Sequence, residues 1–249
     1  MSSFKSPRID RLIKNLYQEM PRIESARASL ITESYQKTEA EPLILRRAKA
    51  FLHILTHLPI IIRDEELIVG STTIAPRGCQ TYPEFSYEWL EAEFETVATR
   101  SADPFYIDEA AKKALKEANR YWKGKTTSEL ATSYMEAETL LAIKHFIFTP
   151  NNYFYNGIGH LSVDYEKVLK IGYGGIKREA AAKLISCRKG DGDYAKKSRF
   201  LQAVIISCEA AIIYANRYAE LAAQMAADCP DKKRSEELLQ IAQNCRHVP

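Results

Sequence analysis

The chain has 249 residues, 46% of them apolar and 27% charged, with 35 Lys and Arg against 32 Asp and Glu. A net charge of +3 is too balanced for a surface that binds nucleic acid or an anionic membrane, and no run of about 18 apolar residues marks a membrane span. Five cysteines (Cys79, Cys187, Cys208, Cys229, Cys245) without CxxC spacing argue against zinc and a disulfide framework, and fit a reducing cytoplasm.

The opening stretch has no long apolar core of a signal peptide. It reads as an amphipathic helix with Ile9, Leu12, Ile13, Leu16 and Met20 on one face; a first helix packing on the core is favoured over a targeting or encapsulation peptide. Three helices are expected in the first sixty residues. The third has Thr38 and Glu41 at capping-box spacing, Pro42 in its first turn, and an apolar face of Leu45, Ala48, Leu52 and Leu55. Pro59 ends it. The runs Ile60-Ile61-Ile62 and Leu67-Ile68-Val69 around a polar turn suggest a hairpin or a pair of extended segments.

Residues 71–86 carry Pro76, Gly78 and Pro83 and read as an ordered loop, followed by a helix over 87–96. Asp108 is placed to cap a helix whose buried positions are Ala111, Leu115, Ala118 and Trp122. One or two helices cover 126–146. After a Pro-, Asn- and Gly-bearing loop, helices are expected over 165–186, 198–227 and 232–245. The long one carries a stripe from Leu201 through Cys208 and Tyr218 to Met225. The whole, 1–249, reads as a single unit, mainly α with a minor β component.

Several candidate chemistries are weak. His53 and His57 have metal-pair spacing on a helix, yet no Glu follows His53 to act as a zinc protease base, so a structural role is favoured. Gly172-Tyr173-Gly174-Gly175 lacks the Gly-Lys-Ser/Thr ending of a phosphate loop, and Asp191-Gly192-Asp193 lacks the ligand set of a calcium loop. No spacing among Glu33, Glu39, Glu41, Glu65, Glu66 and Glu84 selects an acid/base pair. Glu84 stands out only for its aromatic Tyr-Pro-Glu-Phe setting.

His160 is different. Gly157 and Gly159 allow close backbone packing around it, and Tyr153-Phe154-Tyr155 upstream offers an apolar wall with phenol donors. The pattern leaves two readings open: a ring that bonds a small polar ligand, or a buried ring satisfied by backbone.

The stretch from Asn152 to Tyr165, NYFYNGIGHLSVDY, resembles that of the cobalamin-independent glycerol and propanediol dehydratases, which are glycyl radical enzymes of the pyruvate formate-lyase-like superfamily. The stretches IRDEELIVG (Ile62–Gly70), YPEF (Tyr82–Phe85) and GKTTSELATSYM (Gly124–Met135) resemble the same family, as do LRRA (Leu45–Ala48), ISCEAA (Ile206–Ala211) and RYA (Arg217–Ala219). The resemblance runs the length of the chain. It implies the N-terminal helical part of an α/β barrel of two five-stranded halves. It also implies a protein glycyl radical, installed by a separate S-adenosylmethionine iron–sulfur activase and relayed through a barrel cysteine to a small polyol, in a homodimer. The residue matching the family's substrate-binding histidine is His160.

Neither the Gly-Cys-Val-Glu cysteine motif nor the Arg-Val-Ala-Gly-Tyr radical motif occurs in these residues. No catalytic residue, metal site or cofactor is therefore expected in this chain. It is read as an N-terminal portion, inactive alone, whose core-facing helices leave apolar surface uncovered. The alternatives are a portion of a formate acetyltransferase-like or other glycyl radical lyase, or a non-catalytic helical interaction protein.

Overall fold

The computed structural model describes residues 6–149 and 162–249. In chain order the elements are α1 (Pro7–Gln18), β1 (Arg22–Glu24), α2 (Ala26–Lys37), α3 (Leu43–His57), β2 (Gly78–Gln80), α4 (Glu88–Ala92), a 3-10 turn (Val97–Thr99), α5 (Glu109–Trp122), α6 (Thr127–Ser133), α7 (Ala137–Lys144), α8 (Tyr165–Ser186), α9 (Tyr194–Asp228) and α10 (Lys232–His247). Among the described residues, β1 and β2 form a two-stranded sheet and everything else regular is helix. The mainly α reading with a minor β component holds. Contacts divide the chain into two compact units.

The first unit takes the described residues of Met1–Glu19, Glu33–Gly78 and Asp164–Pro249. Its hub is α9, which packs on α3, α8 and α10. By length and composition α9 could cross a membrane, but here three helices lie against it. Tyr218, Ala222 and Ala226 of α9 close on Leu238, Ile241 and Ala242 of α10 and on Ile62. The alanines let the helix backbones approach closely, and Cys208, Tyr218 and Ala222 of the expected stripe are buried.

Of the hairpin or pair of extended segments expected at 60–69, the hairpin does not form. The segment from Ile60 to Pro76 has no ladder, and side chains take several of its carbonyls. Just before it Arg217 donates to Leu55 O and Leu58 O, each at 2.7 Å, and within it Tyr214 and Tyr218 both donate to Ser71 O, at 2.8 and 2.7 Å. Arg234 donates to Arg63 O and Glu66 O, and Arg63 in turn to Thr73 O and Ile74 O. Backbone acceptors satisfied this way need no strand partner.

Two further expectations fail locally. The capping box of α3 does not form: Thr38 Oγ1 donates back to Ser34 O, Glu41 pairs with Lys49, and Pro42 is the N-cap itself. Nor does α1 pack on the core. It has no buried residue and is tied down by Arg8 to Glu65 and Glu237 and by Arg11 to Glu65.

The second unit takes the described residues of Met20–Thr32 and Cys79–Val163. Its core joins Ile23, Ala28, Leu90, Phe94, Val97 and Ile107 to Ala111, Leu115 and Ala118. As the sequence indicates, Asp108 caps α5 by accepting from Ala111 N at 2.7 Å. Ala111, Leu115, Ala118 and Trp122 are all buried. Trp122 Nε1 donates to Thr32 Oγ1 at 2.8 Å, which keeps the buried indole satisfied. The helix expected over 87–96 is shorter, ending at Ala92. A reciprocal capping box of Thr126 and Glu129 starts α6. The Glu129 carboxyl is pushed up by burial, but hydrogen bonds from Gly124 N, Thr126 Oγ1 and Thr126 N outweigh this and hold it below the usual range.

Candidate functional site

His160 lies outside the described residues, as do Tyr153, Phe154, Tyr155, Gly157 and Gly159. The segment that carries them is followed by α8, whose N-cap Asp164 accepts from Lys167 N at 3.0 Å. Gly172 interrupts α8 with φ 63° and ψ 177°, a conformation open essentially to glycine alone. The kink lets Gly174 N donate to Pro249 O at 2.9 Å, so Gly172–Gly175 serve helix packing rather than phosphate binding.

His53 and His57 do face one another, with ring centroids 4.4 Å apart. Each is already engaged: His53 Nε2 lies 3.1 Å from Glu33 Oε2, and His57 Nδ1 lies 2.9 Å from His53 O. Among the described residues no group of three or more His, Cys, Asp or Glu side chains is placed to hold a metal ion. The remaining carboxylates are likewise committed. Glu41 pairs with Lys49, Glu66 with Arg63, and Glu65 with Arg11, whose hydrogen bond holds the Glu65 carboxyl below its ordinary value. A carboxylate locked to a guanidinium is a poor general base.

Glu84 is the carboxylate whose aromatic setting marked it. It forms a two-bond ion pair with Arg27, one contact being Arg27 Nη1 to Glu84 Oε2 at 3.1 Å. Arg27 also donates to Thr81 O at 3.1 Å and lies over the Tyr82 ring, 3.7 Å from its centroid. The Tyr-Pro-Glu-Phe loop then anchors α6, since Glu84 O and Phe85 O accept from Thr127 N and Ser128 N. Nothing in the sequence singles out Arg27. The aromatic company of Glu84 sets it apart in the sequence, but its pairing with Arg27 away from solvent is visible only in the structure.

Beside this loop the second unit holds a cavity of about 340 Å³. Tyr82, Tyr87, Trp89 and Phe105 wall it over a floor of Ile23, Val97 and Leu115, and no carboxylate lines it. Its one guanidinium, Arg100, is neutralised by Glu93. Burial raises the Cys79 thiol, and burial with nearby Glu129, Glu88 and Glu91 raises the Tyr87 phenol, so both stay protonated. Among the described residues, its lining offers hydroxyls and the Cys79 thiol but no carboxylate or histidine to serve as their acid/base partner. Cys208 is also a thiol raised by burial, a core residue as its helical pattern indicates.

Residues 2–249 match a family described as pyruvate formate lyase-like. A solved structure concerned with 1,2-propanediol dehydration in Roseburia inulinivorans is 64% identical, with a TM-score of 0.94. The match covers 98% of this chain and 29% of that one. The glycerol-bound B12-independent glycerol dehydratase from Clostridium butyricum is 50% identical, with a TM-score of 0.93, over 100% of this chain and 32% of that one. Among curated proteins, the (2S)-3-sulfopropanediol dehydratase of Klebsiella oxytoca is 36% identical over 97% of the chain, and the isethionate sulfite-lyase of Desulfovibrio desulfuricans is 36% identical over 98%. The chain spans 30% of the length of each of these two curated relatives.

Proposed function

The chain belongs to the pyruvate formate lyase-like family, and from that premise we propose that it forms the N-terminal, helical portion of a glycyl radical dehydratase acting on a small vicinal diol. The observation that carries the reading is the graded similarity. Identity is 64% and 50% to the propanediol- and glycerol-dehydrating proteins, against 36% to the sulfopropanediol dehydratase and the isethionate sulfite-lyase.

Dehydration of a 1,2-diol removes a hydrogen atom from one carbon and lets the neighbouring hydroxyl leave as water, which requires a proton. His160 is the residue we assign to that hydroxyl. Its imidazole holds the group by hydrogen bonding and supplies the proton as the C–O bond breaks, assistance worth about 10²–10⁴-fold. The thiyl that abstracts the hydrogen and the glycyl radical behind it belong to motifs not found in this sequence. The chain therefore contributes one wall of a pocket and is inactive on its own. In the same reading the assembled enzyme is a cytoplasmic homodimer activated by an S-adenosylmethionine iron–sulfur partner.

The test uses a complete enzyme carrying this portion. His160→Ala should cut diol turnover by about 10²-fold or more, with the glycyl radical signal in electron paramagnetic resonance unchanged. Undiminished turnover removes His160 from the site. Turnover of isethionate in place of glycerol and 1,2-propanediol overturns the diol assignment.

A further inference from the structure

On the first unit, α3, α8 and α9 enclose an open groove of about 450 Å³. One face of α3 lines it with Ile44, Arg47, Ala48 and Phe51, and one face of α9 with Phe200, Ala203, Val204, Ser207, Cys208 and Ala211. Both sets follow the i, i+3, i+4, i+7 rhythm of a buried helix face. Yet the large side chains at the rim are open, with Phe51 43% and Phe200 55% exposed. The floor is small: Ala48, Ala203, Ser207, Cys208 and Ala211. Small residues between large rims are what an incoming helix needs to seat its own side chains. Arg47 stands at the rim, exposed, its guanidinium without a hydrogen bond or ion pair to any described residue.

We propose that this groove is the docking seat for an apolar helix from the remaining part of a family member, the part for which this chain has no counterpart, and that the helix carries a carboxylate to Arg47. The proposal rests on the family reading above. Three observations favour this occupant. The solved relative at TM-score 0.94 has about 70% of its length outside the match (98% of this chain against 29% of that one), and that length must cover surface on this portion. The groove is a pair of complete helical stripes rather than scattered apolar residues. A second copy seated face to face would bring two Arg47 guanidinia to one rim lined by no carboxylate, an unfavourable pairing of like charge.

The experiment mixes the 249-residue chain with a separately produced polypeptide holding the rest of the propanediol-dehydrating relative. Affinity is measured by titration, and diol turnover is measured after activation. Ser207→Trp fills the groove. Arg47→Glu reverses the rim charge at an exposed position that leaves the fold intact, and Lys113→Glu on the second unit is the charge-matched control. Binding by the unaltered chain is expected, weakened on the order of tenfold or more by each groove variant and unchanged by the control. Absence of binding overturns the proposal, and so does binding that neither groove variant weakens. Self-association of the chain that Ser207→Trp abolishes assigns the groove to a second copy instead. Binding through the groove without diol turnover upholds the seat and removes the diol reading, so the two claims fail separately.

Discussion

Replacing Arg27 with Met removes the guanidinium that lies over the Tyr82 ring and strips Glu84 of its partner. The two side chains are 16% and 13% exposed, so the pair is mostly shielded without being fully desolvated. Breaking a fully buried pair costs about 3–5 kcal/mol. The residual exposure lowers this to about 2 kcal/mol, and the lost bond to Thr81 O adds about 1 kcal/mol, giving about 3 kcal/mol for Arg27→Met. Glu84→Gln retains one acceptor and costs about 1.5 kcal/mol. The double variant leaves no charge unpaired and should cost about 3 kcal/mol, for a coupling of about 1.5 kcal/mol. Urea unfolding of the four proteins, followed by circular dichroism with a common slope, measures the cycle. Single effects that add to within about 0.5 kcal/mol would show that the two side chains do not act as a unit, and the ion pair would not be what holds this loop to Arg27.

Two other outcomes follow from the backbone and the carboxylates. Gly172→Ala puts a Cβ 3.1 Å from Pro249 O at a φ of 63°, and should destabilise by about 1–3 kcal/mol. Gly174→Ala meets nothing nearer than 3.5 Å and should be neutral or slightly stabilising; equal melting shifts for the two refute the strain argument. Glu65, Glu129 and Glu237 all have carboxyls held below their ordinary value of 4.5 in the fold. The unfolded chain binds more protons there, so their contribution is present above that value and is lost as pH falls through the depressed folded values. Unfolding midpoints from pH about 5.5 to about 3.5 should decline, and less steeply in Glu129→Gln; parallel curves would count against the α6 cap as a source of acid sensitivity.

Legibility followed locality. Asp108 with Ala111, Leu115, Ala118 and Trp122 specifies α5 within fifteen residues, and the structure reproduces it, cap included. The run Ile60–Val69 has strand-like residues but no strand, since β propensity reports a fit to neighbours and the neighbours here are guanidinium and phenol donors from α9 and α10. Thr38 and Glu41 have capping-box spacing but better partners in Ser34 O and Lys49. The strand Gly78–Gln80 lacks β-branched residues and is set by its pairing with β1. Of the candidate site, His53 and His57 bond Glu33 and the His53 carbonyl, partners that their helical spacing does not name. His160 stands on resemblance alone, because a lone histidine between glycines does not disclose what surrounds it.

Several of the donors that hold residues 60–76 lie far along the chain. Tyr214 and Tyr218 are 143 and 147 residues from Ser71, and Arg234 is 168 and 171 residues from Glu66 and Arg63. During synthesis at about 5–20 residues per second, this segment emerges on the order of ten seconds before the side chains that fix it. It cannot settle until α9 and α10 have been made and docked. The first unit, although it begins at the N-terminus, is thus the last to be completed, and its early half spends the longest time exposed to whatever binds unfinished chain.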